Sequence, residues 1–326
     1  MTNADRRNAA ISTGQLGAFS RTQAADAGLS DRQLRSRVQS GTLTQTGPNS
    51  FRVAGAPNSV KSDLRALLLD VGDPVWVAGP TAAALHRFGG HALRRPFHLL
   101  MPDWRNVRRN GAVIHRSASI DLIDRAHAAG FAVTSGVRTV IDLARLASPD
   151  ELLALVEDAL LLGLSNEDLF YRRIGKLRNR GRFGMPALLD VLDHRAISGG
   201  TESWLEREYL RLLDMTGIPR PVTQQVLTRA QDRTVRVDCC FPGTNVVVEL
   251  LGYQFHRSRS QMNRDTVRLN ALVAEGFAPY QFTFDRVVNE PDRVIAETSS
   301  ALARARHATT PVSRREHDNP RHHRAS

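Results

Sequence analysis

The chain has 326 residues, 41% of them hydrophobic, and a formal net charge of +11. That length exceeds one ordinary core and calls for two or three domains, and the apolar fraction excludes wholesale disorder. No apolar run is long enough to span a bilayer and MTNADRRNAA lacks the apolar stretch of a secretory signal, so cytoplasm without a membrane partner is expected, and the basic surplus favours nucleic acid.

Residues 1–56 read as a winged helix-turn-helix. Ser20 caps a short helix through Ala27, Gly28-Leu29 makes the turn, and Ser30 caps a second helix over residues 31–40. Leu34 and Val38 form its buried stripe. Gly41 ends it, and two strands over 43–46 and 50–53 follow, joined by Gly47-Pro48-Asn49. The exposed face carries Arg32, Gln33, Ser36 and Arg37, with Arg35 near the stripe. Arg and Gln can contact base edges bidentately in the major groove, which points to DNA; a solvated face of a protein-interaction module is the other reading. The stretch FSRTQAADAGLSDRQLRSRVQSGTL resembles the N-terminal winged helix of the abortive-infection AbiEi-type antitoxins. That resemblance implies a DNA-binding autorepressor and, as partners, a cognate toxin or a second copy of the chain.

Residues 57–148 read as an α+β domain. Helices are expected over 61–69, 80–88 and 139–146, and strands over 75–78, 97–101 and 112–115. VAGPTAAALHRFGG followed by VTSGVRTVIDLAR is similar to the domain behind the winged helix in those antitoxins. His86, His91, His98 and His115 match no zinc spacing and read as structural. Residues 149–197 form a helical basic linker with helices over 151–162 and 186–194. Between them Arg172, Arg173, Lys176, Arg178, Arg180 and Arg182 run without an acid. They either track phosphates or cover a solvated joint.

Residues 198–305 carry 13 basic and 13 acidic side chains. Here the order of elements is informative. A helix over 202–215 precedes three strands over 222–227, 234–241 and 245–251, then a helix over 261–275, a strand over 279–284 and a helix opened by Pro291. This is the order expected of a restriction-endonuclease-like PD-(D/E)XK α/β domain. Asp238 and Glu249 fall on the two strands flanking Pro242-Gly243. Acids beside buried strands are costly unless a cation or hydrogen bonds compensate, and Mg²⁺ takes hard oxygen ligands of this kind. Glu206, from the preceding helix, is a third ligand candidate or an ordinary surface acid. Cys239 and Cys240 are adjacent, so their side chains face opposite ways and form neither a disulfide nor a metal knuckle.

Ser203-Trp204-Leu205-Glu206, Val237-Asp238, Val248-Glu249 with Gly252 and His256, Arg264-Asp265 and Tyr280-Gln281-Phe282-Thr283 together resemble the endonuclease-like domains related to very-short-patch-repair (Vsr) nucleases. The resemblance implies Mg²⁺-dependent cleavage of DNA, with Asp238, Glu249 and Glu206 as metal ligands and His256 assisting proton transfer. One departure matters. Where a Glu-x-Asp or Glu-x-Lys segment is usual, this chain reads Glu249-Leu250-Leu251, and its only lysines are Lys61 and Lys176. Two functions follow: a metal-dependent DNA endonuclease with compromised catalysis, or a non-catalytic regulator using a degenerate nuclease fold for binding or dimerisation. The tail, 306–326, reads as disordered and basic.

Overall fold

The computed structural model describes residues 3–177, 184–198, 203–228, 235–252 and 259–309. The described residues are mixed α/β with three sheets, and the chain divides into two compact units, Met1–Leu192 and Asp193–Ser326.

The first unit opens with helix α1 (Asn3–Thr13), strand β1 (Ala18–Ser20), helices α2 (Arg21–Asp26) and α3 (Asp31–Gln39), and strands β2 (Leu43–Gly47) and β3 (Ser50–Val53). Both expected caps form. The Ser20 and Ser30 side chains accept from the Gln23 and Gln33 N–H groups, and each glutamine returns a bond to the cap backbone. The three strands make an antiparallel sheet in the order β1-β3-β2, which closes over Phe19, Leu34, Leu43 and Phe51. Helix α1 was not expected from the sequence. Its composition is polar and it buries Asn8 and Ser12; an ion pair from Asp5 to Arg37, at 2.7 Å, fastens it to α3.

A five-stranded sheet follows, in the order β6-β5-β4-β8-β7. Its strands are β4 (Trp76–Val77), β5 (Phe97–Pro102), β6 (Ala112–Ser117), β7 (Arg125–Ala128) and β8 (Phe131–Thr134), with helices α4 (Val60–Val71), α5 (Gly79–His86) and α6 (Gly136–Leu143). Leu64, Val77, Phe97, Leu99, Met101, Phe131 and Val133 fill its core. The β7–β8 hairpin is missing from the sequence reading because its turn is Ala129-Gly130, with φ of +51° and +85°. Alanine in that position carries no turn signal. Helices α7 (Pro149–Leu161), α8 (Glu167–Leu177) and α9 (Met185–Ser198) complete the segment. Over its first half, the stretch read as a basic linker is an amphipathic helix that buries Phe170, Tyr171, Ile174 and Leu177.

Three histidines of this unit give it a pH dependence. His86 Nε2 lies 2.7 Å from the Thr134 carbonyl oxygen, so that nitrogen carries the proton and donates. Burial lowers the His86 pKa against the opposing pull of that carbonyl. Burial, then the neighbouring His115, lowers that of His98. Burial also lowers His115, with Asp142 opposing and Arg145 reinforcing. All three folded values lie below the ordinary 6.5, so the unfolded chain binds more protons. Their stabilising contribution is present above that pH and is lost as pH falls towards the folded values. The urea midpoint of the full chain is expected to fall between pH 7.5 and 5, and substitution of His115 by glutamine is expected to flatten that fall. A midpoint independent of pH in the wild type would refute this.

The second unit contains α10 (Trp204–Thr216), β9 (Val222–Thr228), β10 (Val235–Cys240), β11 (Val246–Leu251), α11 (Arg259–Ala274), β12 (Ala278–Thr283), α12 (Phe284–Asn289) and α13 (Pro291–Thr309). The sheet order is β12-β11-β10-β9. Strands β9, β10 and β11 form an antiparallel meander, and β12 returns parallel to β11 after the crossover helix α11. Cys239 and Cys240 are both buried and are not joined in a disulfide. Tyr209 packs against Phe282 and bonds Thr298 Oγ1 at 3.1 Å, and burial raises its pKa. Among the described residues no helix is long and apolar enough to cross a membrane.

Candidate acidic site on the C-terminal sheet

Strand register brings the two central acids together. Cys239 pairs with Val248 and Cys240 with Val247, so the next rung sets Asp238 opposite Glu249. Residues opposite one another share a sheet face. The same logic extends the row both ways. Gln225 pairs with Val237 and Thr223 with Cys239, which brackets Gln224 against Asp238, and Glu249 pairs with Gln281. Four polar residues, Gln224, Asp238, Glu249 and Gln281, therefore cross the sheet on one rung.

Their hydrogen bonds are specific. Gln224 Nε2 donates to Glu206 Oε1 at 2.7 Å and reaches Asp238 Oδ1 at 3.4 Å. Asp238 Oδ2 accepts from the Leu250 N–H at 2.7 Å. Gln281 Nε2 donates to Glu249 Oε2 at 3.2 Å. Glu249 Oε1 lies 3.1 Å from Arg268 Nη2 of α11 without the alignment of a hydrogen bond, so this buried oxygen has an ionic neighbour and no donor. Arg268 spends its aligned bond on the Arg236 carbonyl. Glu249 and Glu206 are 6% and 9% exposed, while Asp238 is half-buried and keeps the rung in touch with solvent.

Gln224 is the residue that sequence reasoning missed. It has φ of +53° inside a strand, a conformation costing about 1–3 kcal/mol for a side-chain-bearing residue and concentrated at functional sites. Its amide places a donor between two carboxylates. The one available signal was a Gln-Gln pair within an otherwise apolar-and-threonine strand.

Glu206 is thus joined to the pair through Gln224. Among the described residues no group of three or more His, Cys, Asp or Glu side chains is arranged to hold a metal ion. His256, the expected proton carrier, lies outside the described residues.

The N-terminal candidates divide. Arg32 and Arg35 are exposed on α3 and make no side-chain hydrogen bond or ion pair among the described residues. The Gln33 side chain accepts from the Ser30 N–H at 2.9 Å, and Arg37 is paired with Asp5. Arg172 is paired with Asp168 at 2.7 Å on one exposed face, and Lys176 is exposed. Arg173, expected among the phosphate contacts, is instead 4% exposed; it pairs with Asp121 at 2.8 Å and Asp124 at 2.5 Å. Arg178 and Arg180 lie outside the described residues.

No protein-family model matches the chain, and neither does any curated protein. Among solved structures, the catalytic domain of the homing endonuclease I-Bth0305I is 19% identical, covering 32% of this chain and 98% of its own, with a TM-score of 0.26. The RV2827C protein from Mycobacterium tuberculosis is 14% identical, covering 62% of this chain and 78% of its own, with a TM-score of 0.41. Scores this low leave both likenesses descriptive.

Proposed function

We propose that this chain binds DNA and carries, in its second unit, a divalent-cation site of the kind that supports phosphodiester hydrolysis, weakened by Leu251, which stands where an acid or lysine is usual in the resembling nucleases. The observation that carries the proposal is the Asp238–Glu249 rung with its donor-less buried oxygen, Glu249 Oε1. A buried carboxylate oxygen without a donor is costly and suits a hard cation. Mg²⁺ is commonly held by one or two carboxylates, with water and substrate phosphate filling its other positions, so Asp238 and Glu249 suffice. The ion would supply Lewis-acid stabilisation of a phosphoryl oxygen and an activated water. Gln224 holds Glu206 near the pair, and Leu251 contributes no group to the reaction.

A supercoiled plasmid incubated with the full chain is expected to be nicked in Mg²⁺ or Mn²⁺ and to stay intact in EDTA. An intact plasmid in every metal would leave the second reading, a non-catalytic DNA-binding regulator. One contact favours that reading: Arg268 already supplies a positive charge to Glu249.

We assign DNA contact to the first unit, through a winged helix made of α2, α3 and the β2–β3 hairpin, with Arg32 and Arg35 as its free cations. Converting both to alanine is expected to weaken duplex binding by about tenfold or more and to reduce the slope of log K against log salt by about 2, if each neutralises one phosphate. Fluorescence anisotropy across a salt series reads both numbers. An unchanged slope would remove α3 from the interface.

A further inference from the structure

A cleft of about 810 Å³ lies in the first unit between the β2–β3 hairpin and α4, remote in sequence from the acidic rung and independent of it. Four arginines line it, Arg52, Arg95, Arg108 and Arg109, against two aspartates of α4, Asp63 and Asp70. The aspartates are seven residues apart on one helix face, and both are engaged. Asp63 takes Arg52 at 2.5 Å and Arg95 at 3.0 Å. Asp70 takes Arg109 and the Asn49 N–H of the hairpin turn. Two carboxylates therefore offset two of four guanidinium charges.

Several donors stay unmet. The Arg52 Nε is buried without a partner. Arg95 retains 58% of its side-chain exposure and spends one nitrogen on Asp63. The Arg108 guanidinium makes no hydrogen bond or ion pair with a described residue. A guanidinium fork matches phosphate oxygens bidentately, and a volume of this size is in the range of small-molecule sites and well above what one isolated phosphate needs.

We propose that this cleft binds a phosphate-bearing ligand, with Arg95 and Arg108 as its principal contacts and Arg52 closing the hairpin side. The hairpin forms one wall and is fastened through Asp70, so an occupant would touch the same element that frames α3. Phosphate chemistry has two sources here, a free small molecule of nucleotide type or the DNA backbone.

Isothermal titration of the full chain with pyrophosphate and with ATP, beside anisotropy with a duplex, separates them. Saturable binding of pyrophosphate or ATP is expected. It should weaken on the order of tenfold or more in Arg95→Ala/Arg108→Ala, since each lost charge-assisted bond carries at least that factor. Weakening of duplex binding alone, without small-ligand binding, would support the site with DNA backbone as its occupant. Equal affinity of wild type and variant for all three probes, or no binding of any, overturns the proposal. Thermal melting of the unliganded variant identifies misfolding, and Arg95→Lys/Arg108→Lys, which keeps the charge and loses the fork, is expected to recover only part of the affinity.

Discussion

Asp124→Ala is expected to cost about 3–5 kcal/mol of stability, the range for removing one partner of a buried ion pair. Asp124 is fully buried and Arg138 is 1% exposed. The carboxylate accepts from Arg138 Nη1 at 2.9 Å, from Arg173 Nε at 2.7 Å and from the Asp121 N–H at 3.1 Å. Arg138 is further held by Asp142 at 2.9 Å and by the Ser119 carbonyl. Without Asp124, two buried guanidiniums face each other across a vacated space. The loss falls on the joint between the segment before β7, α6 and α8. Urea denaturation of the full chain, followed by far-UV circular dichroism, measures it. A loss below about 1 kcal/mol, the scale of an ordinary surface pair, would contradict the assignment.

Asp238→Asn is expected to lower metal-dependent nicking on the order of a hundredfold or more. Even the loss of a hydrogen-bond partner to a metal ligand costs up to that much, and here a ligand charge itself disappears. The substitution is nearly isosteric. Asparagine keeps one oxygen for the Leu250 N–H, which Asp238 accepts at 2.7 Å, so stability should change by about 1 kcal/mol. Initial nicking rates in Mn²⁺, with the melting temperature of the same preparation, separate chemistry from folding. Full nicking in the variant would place the reaction elsewhere on the chain.

The legible parts of this fold were those written in periodicity and punctuation. Pro242-Gly243 between two apolar runs announced the β10–β11 hairpin and put Asp238 and Glu249 on its two strands, while the register that sets them opposite one another is fixed by the strand pairing. Serines before basic helices announced the caps of α2 and α3. The illegible parts depended on tertiary partners. Helix α1 is largely polar, with Ala4 and Ile11 against the core, and is held by Arg37, whose own position in a row of exposed arginines suggested DNA contact. Arg173 sits in a run without acids, and its counter-ions, Asp121 and Asp124, lie about fifty residues earlier in the chain. Charge read along a sequence says little about charge paired across a fold. Gln224, marked only by the Gln-Gln pair of its strand, was missed for a related reason: its role comes from a left-handed backbone in a strand.

Calorimetric titration of Mn²⁺ into the full chain, wild type beside Glu249→Gln, tests the acidic rung without requiring turnover. The wild type should bind the ion saturably, and the variant, in which a neutral amide replaces the Glu249 carboxylate, should bind at least about tenfold more weakly. Absence of any binding in the wild type, or equal affinity in the two proteins, would contradict a cation site on that rung.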